Sequence, residues 1–508
     1  MTMLQQVIRK KVMVKNQSLI QRVMPLGIIL VVFGGCAQGP NFVRPPPPDT
    51  ARYTHELQSE ATVAADGQSQ HFKSSNTLIA NWWQLFKSPG LDSIINMAIV
   101  NNPTLQGSEA SLRQSQDNMR AGYGVFFPQI QAGVATSRQR TSSQEQGLQA
   151  GSKIFNLITL SGSISYALDV FGGARRSVES LRALADYQRY ENVAAYLILS
   201  SNVVNTTIAR AAYAAEITTT KQLISLENQE LSLTQAQVRS GIVPYTNVVS
   251  QEGIIAVSLA TLSPLKQGIS QSEHLLATLE GNLPLNANLP NIDLNNLALP
   301  TNLPVSLPSD LVNQRPDILA AEAQMHAASA KIGVATALMF PSFSLNGTFG
   351  TSGSSFGNLT AASGKFWSIG PSATIPVFQG TTLWFGRKAA IDAYQQSRAD
   401  YRQTVLTAFE QVADSLKALE HDAETLQAQV EAKHASGEQL TLLRANYRAG
   451  LVNYLSVLTA DVQYHQTIIL FQQAVAQRLQ DTVALFVGLG GGWWNPQIIY
   501  PVGIEGQR

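Results

Sequence analysis

The segment from Ser163 to Val170, SISYALDV, alternates strictly between side chains of opposite character. Ile164 and Tyr166 point to one side of an extended chain, whereas Ser163 and Ser165 point to the other. A period of two predicts a β-strand with one apolar and one polar face. Three further segments alternate in the same way. The predicted strands lie near residues 128–140, 156–171, 341–351 and 366–378.

Strands of this kind are compatible with two fold classes. Alternation over about ten residues is typical of a transmembrane β-barrel, with lipid outside and water inside. A soluble β-sandwich shows the same pattern, because one face is buried and the other is wet. Four strands are too few to close a barrel, and lipid does not tolerate open sheet edges. A membrane sheet therefore requires several copies: two would supply eight strands, and three would supply twelve and a wider lumen.

Each pair of strands is followed by a long run that favours helix. Residues 174–240 contain no glycine or proline, and residues 386–449 contain only Gly437 in their interior. Because an α-helix rises 1.5 Å per residue, each helix should be roughly 100 Å long. Both runs end in similar turns, RSGIVPY and RAGLVNY, and glycine is typical after a helix C-terminus. We therefore predict two helical hairpins, with tips near 241–246 and 450–455.

The order of elements occurs twice along the chain. Pro103 and Phe127 match Pro316 and Phe340 at one constant offset. We predict an α+β membrane protein with two structural repeats, each containing long helices and two transmembrane strands. The predicted parts are a signal peptide (1–35), a lipid-anchored tether (36–80), a first repeat (81–285), a linker (286–306), a second repeat (307–492) and a C-terminal tail (493–508).

Charge and composition exclude several classes of function. The chain has 35 Lys and Arg residues against 34 Asp and Glu residues, with no block of one sign, which argues against nucleic-acid binding. Only 14% of the residues are charged, as suits helices that pack on several sides. The seven histidines form no HExxH motif or other metal-ligand spacing. We predict that the chain is not an enzyme and binds no metal or cofactor other than a covalent lipid.

The only cysteine, Cys36, lies at the end of a targeting signal. Basic residues precede an apolar stretch at 25–33, which is too short to span a bilayer as a helix, and FGGC closes it. This pattern predicts a bacterial lipoprotein signal with lipid attached to Cys36. An ordinary signal peptide with an incidental cysteine is the alternative. The GPNFVRPPPP that follows predicts an extended tether, because prolines disrupt helices.

Several motifs together resemble one protein family. They are the lipoprotein signal with GPNFVRPP, WWQLFKSPGLDSIINMAIVNNPTL at 82–105, QRPDILAAEAQ at 314–324 and GLGGGWW at 488–494. This combination resembles the TolC-like outer-membrane efflux lipoproteins of the NodT type. The resemblance runs from Cys36 to about Trp494. It implies the outer-membrane channel of a tripartite RND-type efflux pump, a passive exit duct for drugs and other small toxic compounds.

The resemblance also implies an assembly and its partners. It implies a homotrimer with a 12-stranded β-barrel in the outer membrane and an α-helical barrel in the periplasm. It would meet a periplasmic adaptor protein and, through it, an inner-membrane RND-type transporter. Ala37, the residue after the cysteine, resembles the residue found there in lipoproteins of this family that are sorted to the outer membrane. A protein-secretion duct and a lipid-anchored periplasmic spacer are the alternatives; lipidation and the GGGW ending favour efflux, and the strands argue against a spacer.

The resemblance implies functional residues at the periplasmic end. Relatives are pinched shut by the helices after the second tip, often with acidic residues. Here Ser456 and Thr459 stand at positions that are often acidic, and Asp461 follows two residues later. We name these three as aperture candidates, with an ordinary packed helix start as the alternative. The adaptor-facing candidates at the hairpin tips are Arg239, Gly241, Arg448 and Gly450.

Overall fold

A computed structural model describes residues 37–74, 78–141, 153–286 and 288–494. The predicted signal peptide, the lipid on Cys36 and residues 495–508 lie outside the described residues. The α-helices are α1 (Pro89–Asn101), α2 (Pro103–Gly122), α3 (Gly173–Arg239), α4 (Thr246–Leu279), α5 (Pro308–Gln314), α6 (Pro316–Ala337), α7 (Thr382–Arg448) and α8 (Tyr454–Gly488). The β-strands are β1 (His71–Ser74), β2 (Gln129–Thr141), β3 (Lys153–Leu168), β4 (Asn302–Val305), β5 (Ser342–Gly353) and β6 (Lys365–Thr374).

The chain forms two compact units, and each takes elements from both sequence repeats. Among the described residues, unit 1 comprises 37–44, 114–141, 153–186 and 323–399, and unit 2 contains the remainder. The units therefore do not coincide with the repeats predicted at 81–285 and 307–492. The physical reason is strand pairing, since β3 of the first repeat pairs with β5 of the second.

The four long strands form one antiparallel sheet in unit 1, in the order β2-β3-β5-β6. Both ends of β3 lie three residues nearer the N-terminus than predicted. Its pairing with β2 begins at Lys153, and its pairing with β5 ends at Leu168. Strand β6 ends at Thr374, four residues before the predicted end. Pro376 follows closely and has no N–H group to donate to a ladder.

The long helices have the predicted scale. Helices α3 and α7 contain 67 residues each, which corresponds to about 100 Å at 1.5 Å per residue. Asp169, at the end of the SISYALDV segment, fixes the start of α3. Its carboxylate accepts hydrogen bonds from the backbone N–H groups of Ala174 at 2.9 Å and Arg175 at 3.0 Å. Gly172, with φ of 77°, makes the turn between strand and helix.

A second, smaller sheet lies in unit 2. Strand β1 of the predicted tether pairs in parallel with β4 of the predicted linker, with His71 opposite Asn302. Gln70, just before β1, is fully buried, and its Nε2 donates to the carbonyl oxygen of Pro300 at 3.1 Å. The tether is therefore part of the packed structure. The sequence did not predict this sheet, because four-residue strands are too short to show alternation.

Two of the motifs that carried the family resemblance, QRPD and GGGWW, contact each other in unit 2. Arg315 of the QRPD motif donates from Nη1 to the carbonyl oxygen of Gly488 at 2.8 Å. Trp493 of the GGGWW motif donates from Nε1 to the carbonyl oxygen of Gln314 at 2.7 Å. Trp82 of the WWQLF motif is fully buried. These residues are thus structural, and they hold the ends of α5 and α8 together.

Candidate functional site

The sheet of unit 1 has one apolar and one polar face across all four strands. On the apolar face, Ile130 lies opposite Ile164, and Phe349 lies opposite Trp367. The polar face includes Gln131, Ser163, Thr348 and Ser368, which occupy one row across the sheet. On the same polar face, Ser165 Oγ donates to Asn346 Oδ1 at 2.9 Å. This register confirms the faces predicted from alternation.

The apolar face is open to the surroundings of the chain. The exposed fractions are 74% for Ile130, 62% for Phe349 and 78% for Trp367. Moving such apolar surface out of water lowers the free energy by roughly 25 cal/mol per Å². Contiguous exposed apolar patches mark membrane or protein contacts. The face therefore requires an apolar environment outside this chain.

Both edges of this sheet are open within the described residues. Strand β2 pairs only with β3, and β6 pairs only with β5. An edge strand presents a row of N–H and C=O groups that can pair with another chain. In lipid these groups must be satisfied, because no water is present to bind them. In lipid, the edges of β2 and β6 would therefore need pairing partners outside this sheet.

The first hairpin tip is closed by a glycine-dependent helix cap. Gly241 has φ of 71°, a left-handed conformation that glycine adopts without steric cost. Its N–H group donates to the Val238 carbonyl at 2.9 Å, and that of Ile242 donates to the Gln237 carbonyl at 2.9 Å. This pair of hydrogen bonds is a Schellman motif. It ends α3 at Arg239, whose side chain is exposed.

The second tip repeats this geometry. Gly450 has φ of 72°, and its N–H group donates to the Tyr447 carbonyl at 3.0 Å. The N–H group of Leu451 donates to the Asn446 carbonyl at 2.9 Å. Arg448 is the last residue of α7 and is exposed. The two tips are therefore structural equivalents, as their sequences predict.

Apolar side chains at the tips are exposed, and the sequence reasoning did not single them out. Ile242 is 70% exposed, and Leu451 occupies the equivalent place in the second tip with 74% exposed. Tyr245 is exposed as well. A Cβ atom added to Gly241 or to Gly450 would have no neighbouring atom within 4 Å. The tips thus present apolar side chains beside the predicted arginines, and the shared pattern Gly-apolar-Val in the two turns was the available signal.

The structure separates the three aperture candidates. Asn453 Oδ1 accepts hydrogen bonds from the N–H group of Ser456 at 3.0 Å and from its Oγ at 2.9 Å, which caps the start of α8. Thr459 is exposed, and its Oγ1 donates to the Leu455 carbonyl at 3.0 Å. Ser456 satisfies its hydrogen bonds locally, whereas Thr459 also forms a side-chain hydrogen bond with Glu230 of α3.

Asp461 is buried between α7 and α8. Its Oδ2 lies 2.6 Å from Nη2 of Arg444, and its Oδ1 lies 3.5 Å from Nδ1 of His465. The carboxylate is thus already paired inside the second hairpin. Within the part of the chain that the structure describes, no three His, Cys, Asp or Glu side chains are grouped closely enough to hold a metal ion.

A buried charged cluster joins the tether to α8 in unit 2. Arg478 is 1% exposed, and it donates from Nε to Gln70 Oε1 at 2.9 Å and from Nη2 to Thr62 Oγ1 at 3.1 Å. Asp422 of α7 lies nearby. The pKa of Asp422 is raised to about 7, mainly by burial and to a lesser extent by Asp481. Arg478 acts in the opposite direction and lowers this pKa.

Comparison with known proteins identifies the family. The model of the outer membrane efflux protein family matches residues 94–282 and 307–491. The chain is 28% identical over 486 residues to the toluene efflux pump outer membrane protein TtgC of Pseudomonas putida, covering 93% of this chain and 96% of that protein. It is 26% identical over 476 residues to nodulation protein T of Rhizobium leguminosarum bv. trifolii, covering 92% and 96%.

A solved structure supports the fold. The open state of the MtrE outer membrane channel of Neisseria gonorrhoeae is similar with a TM-score of 0.76 and 24% sequence identity, covering 90% of this chain and 98% of that one. The resemblance predicted from the motifs is confirmed. The chain belongs to the outer membrane efflux protein family.

Proposed function

We propose that three copies of the chain join their sheets edge to edge into one 12-stranded barrel. The observation that carries this proposal is a four-stranded sheet with one continuous apolar face and two open edges. Joining β2 of one copy to β6 of the next satisfies the edge hydrogen bonds without any further strand. The apolar face then meets lipid, and the polar face lines a water-filled lumen.

Helix α4 supports the same assembly in unit 2. Among the described residues it is the one helix whose length and composition would allow it to cross a membrane, with a mean hydropathy of 1.4. Its polar side chains nevertheless pack against α3, since Ser258 Oγ donates to the buried Glu227 Oε1 at 2.7 Å. The exposed apolar side chains of α4 include Val249, Ile254, Val257 and Leu259. We infer that neighbouring copies cover them in an α-helical barrel.

The proposed partners are a periplasmic adaptor at the hairpin tips and, through it, an RND-type transporter of the inner membrane. The exposed arginines and apolar residues of the two tips support an adaptor contact. Lipid on Cys36 would add an anchor in the outer membrane. The Pseudomonas relative is named for toluene efflux, and we propose small toxic compounds as the cargo here. Export through such a duct is passive, so the chain would catalyse no reaction and need no cofactor.

Dye accumulation in cells tests this function. A strain that lacks the chain should accumulate a fluorescent cationic dye, and the intact chain supplied in trans should restore a low level. The substitution Trp367→Ser removes an apolar side chain from the proposed lipid-facing surface. We expect this variant to be recovered poorly from outer membranes. Unchanged dye accumulation together with loss of a secreted protein would instead support the protein-secretion duct.

A further inference from the structure

The first described residues, 37–42, lie against a binding site on the surface of unit 1. The site consists of Arg176 and Glu179 of α3 and His326 and Gly333 of α6, and we call it the N-terminal seat. Arg176 is 4% exposed, and its Nε donates to the carbonyl oxygen of Gln38 at 3.1 Å. Its Nη2 donates to Asn41 Oδ1 at 2.6 Å. One buried guanidinium thus holds the segment at two points.

The seat has a second contact on the other side of Glu179. The ring of Phe42 stacks on that of His326, with centroids 4.4 Å apart and an interplanar angle of 12°. Glu179 Oε1 lies 3.0 Å from His326 Nε2, and Oε2 accepts from Arg176 Nη1 at 2.7 Å. Burial opposes ionisation of Glu179, but the hydrogen bonds from Arg176 and His326 prevail and lower its pKa. The carboxylate therefore orients both residues that touch the segment.

Glycine is required where the segment approaches the seat. A Cβ atom on Gly333 would lie 2.6 Å from Arg176 Cγ and 2.7 Å from the carbonyl oxygen of Gln38. Gly39 has φ of 87° and lies directly against Gly333. The N–H group of Gln38 also donates to the Phe171 carbonyl at 3.0 Å. A merely flexible tether would need none of these contacts, since ordering it costs conformational entropy.

We propose that the N-terminal seat binds residues 37–42 and so holds the chain that follows the proposed lipid attachment at a fixed place on unit 1. Consecutive Cα atoms are about 3.8 Å apart, so Cys36 lies next to Ala37. Ala37 in turn lies against Gly172, at the turn between β3 and α3. The first described residue is therefore held beside that turn. This inference rests on the proposed lipid attachment and assigns Arg176 as the positioning residue.

Spin labelling of the full chain in outer-membrane extracts tests the seat. Acylation blocks the thiol of Cys36, so Val43→Cys provides one free thiol at a side chain that is 78% exposed. The nitroxide spectrum should contain a motionally restricted component, because the backbone at this position is held in place. Arg176→Gln should abolish the restricted component. Arg182→Gln is the matched control, because Arg182 is exposed on the same helix, and it should leave the spectrum unchanged.

Gly333→Ala distinguishes the seat from a folding defect. Alanine favours a helix interior more than glycine does, so α6 should be retained, while the new Cβ excludes Gln38. A restricted spectrum in both Arg176→Gln and Gly333→Ala, with trimer mass unchanged, would overturn the seat. Mass spectrometry of the N-terminal peptide checks the anchor separately. An unmodified Cys36 with normal export would overturn the anchoring role and leave the channel function intact.

Discussion

Asp422 shows how a single residue can make stability depend on pH. Its pKa of about 7 in the folded chain arises from burial and from Asp481, and it lies above the usual value near 3.9. The folded state therefore keeps a proton that the unfolded state releases. The corresponding stability is full below pH about 4 and is lost as pH rises through about 7. We expect Asp422→Asn to raise the free energy of unfolding by about 1 kcal/mol at pH 8, a figure reduced for solvent screening, and by less at pH 5.

Thermal unfolding of the purified protein at both pH values measures this effect. Asp414→Asn is the matched control, since Asp414 is exposed on the same helix, and it should shift neither midpoint. An equal gain for Asp422→Asn at pH 5 and pH 8 would contradict the raised pKa of Asp422.

The hairpin tips are the elements on which adaptor docking is proposed. A bulky charge at Gly241 or Gly450 would not test docking alone, because both glycines have positive φ. A side chain there strains the backbone by about 1–2 kcal/mol, so stability would change as well. We expect Ile242→Asp with Leu451→Asp to reduce adaptor co-purification and raise dye accumulation with no change in thermal midpoint, because both side chains are exposed. Gly241→Ala should do the reverse, with lower stability and normal docking.

The elements that the sequence predicted are those specified by local patterns. Alternation identified the four long strands, and the lack of helix breakers identified α3 and α7. The small sheet of β1 and β4 depends on pairing between distant four-residue segments, which leave no periodic signal. The N-terminal seat likewise depends on Arg176 meeting residues far along the chain. Asp461 was proposed from its position after the tip, but its pairing with Arg444 is set by helix packing.

A sheet of four strands with two open edges cannot remain in lipid as a single copy, because its edge groups would be left without hydrogen bonds. Three copies supply twelve strands and leave a lumen lined by the polar face. The same assembly would cover the exposed apolar side chains of α4. The proposed assembly of three chains would thus pair the sheet edges of unit 1 and cover the exposed apolar side chains of unit 2.

The most direct test is the protein mass, excluding detergent, of the particle extracted from outer membranes. We predict the mass of three chains, held in a form whose sheet content is retained. A stable single chain with the same sheet content would contradict the proposed barrel, because the edges of β2 and β6 would then have to persist in lipid unpaired.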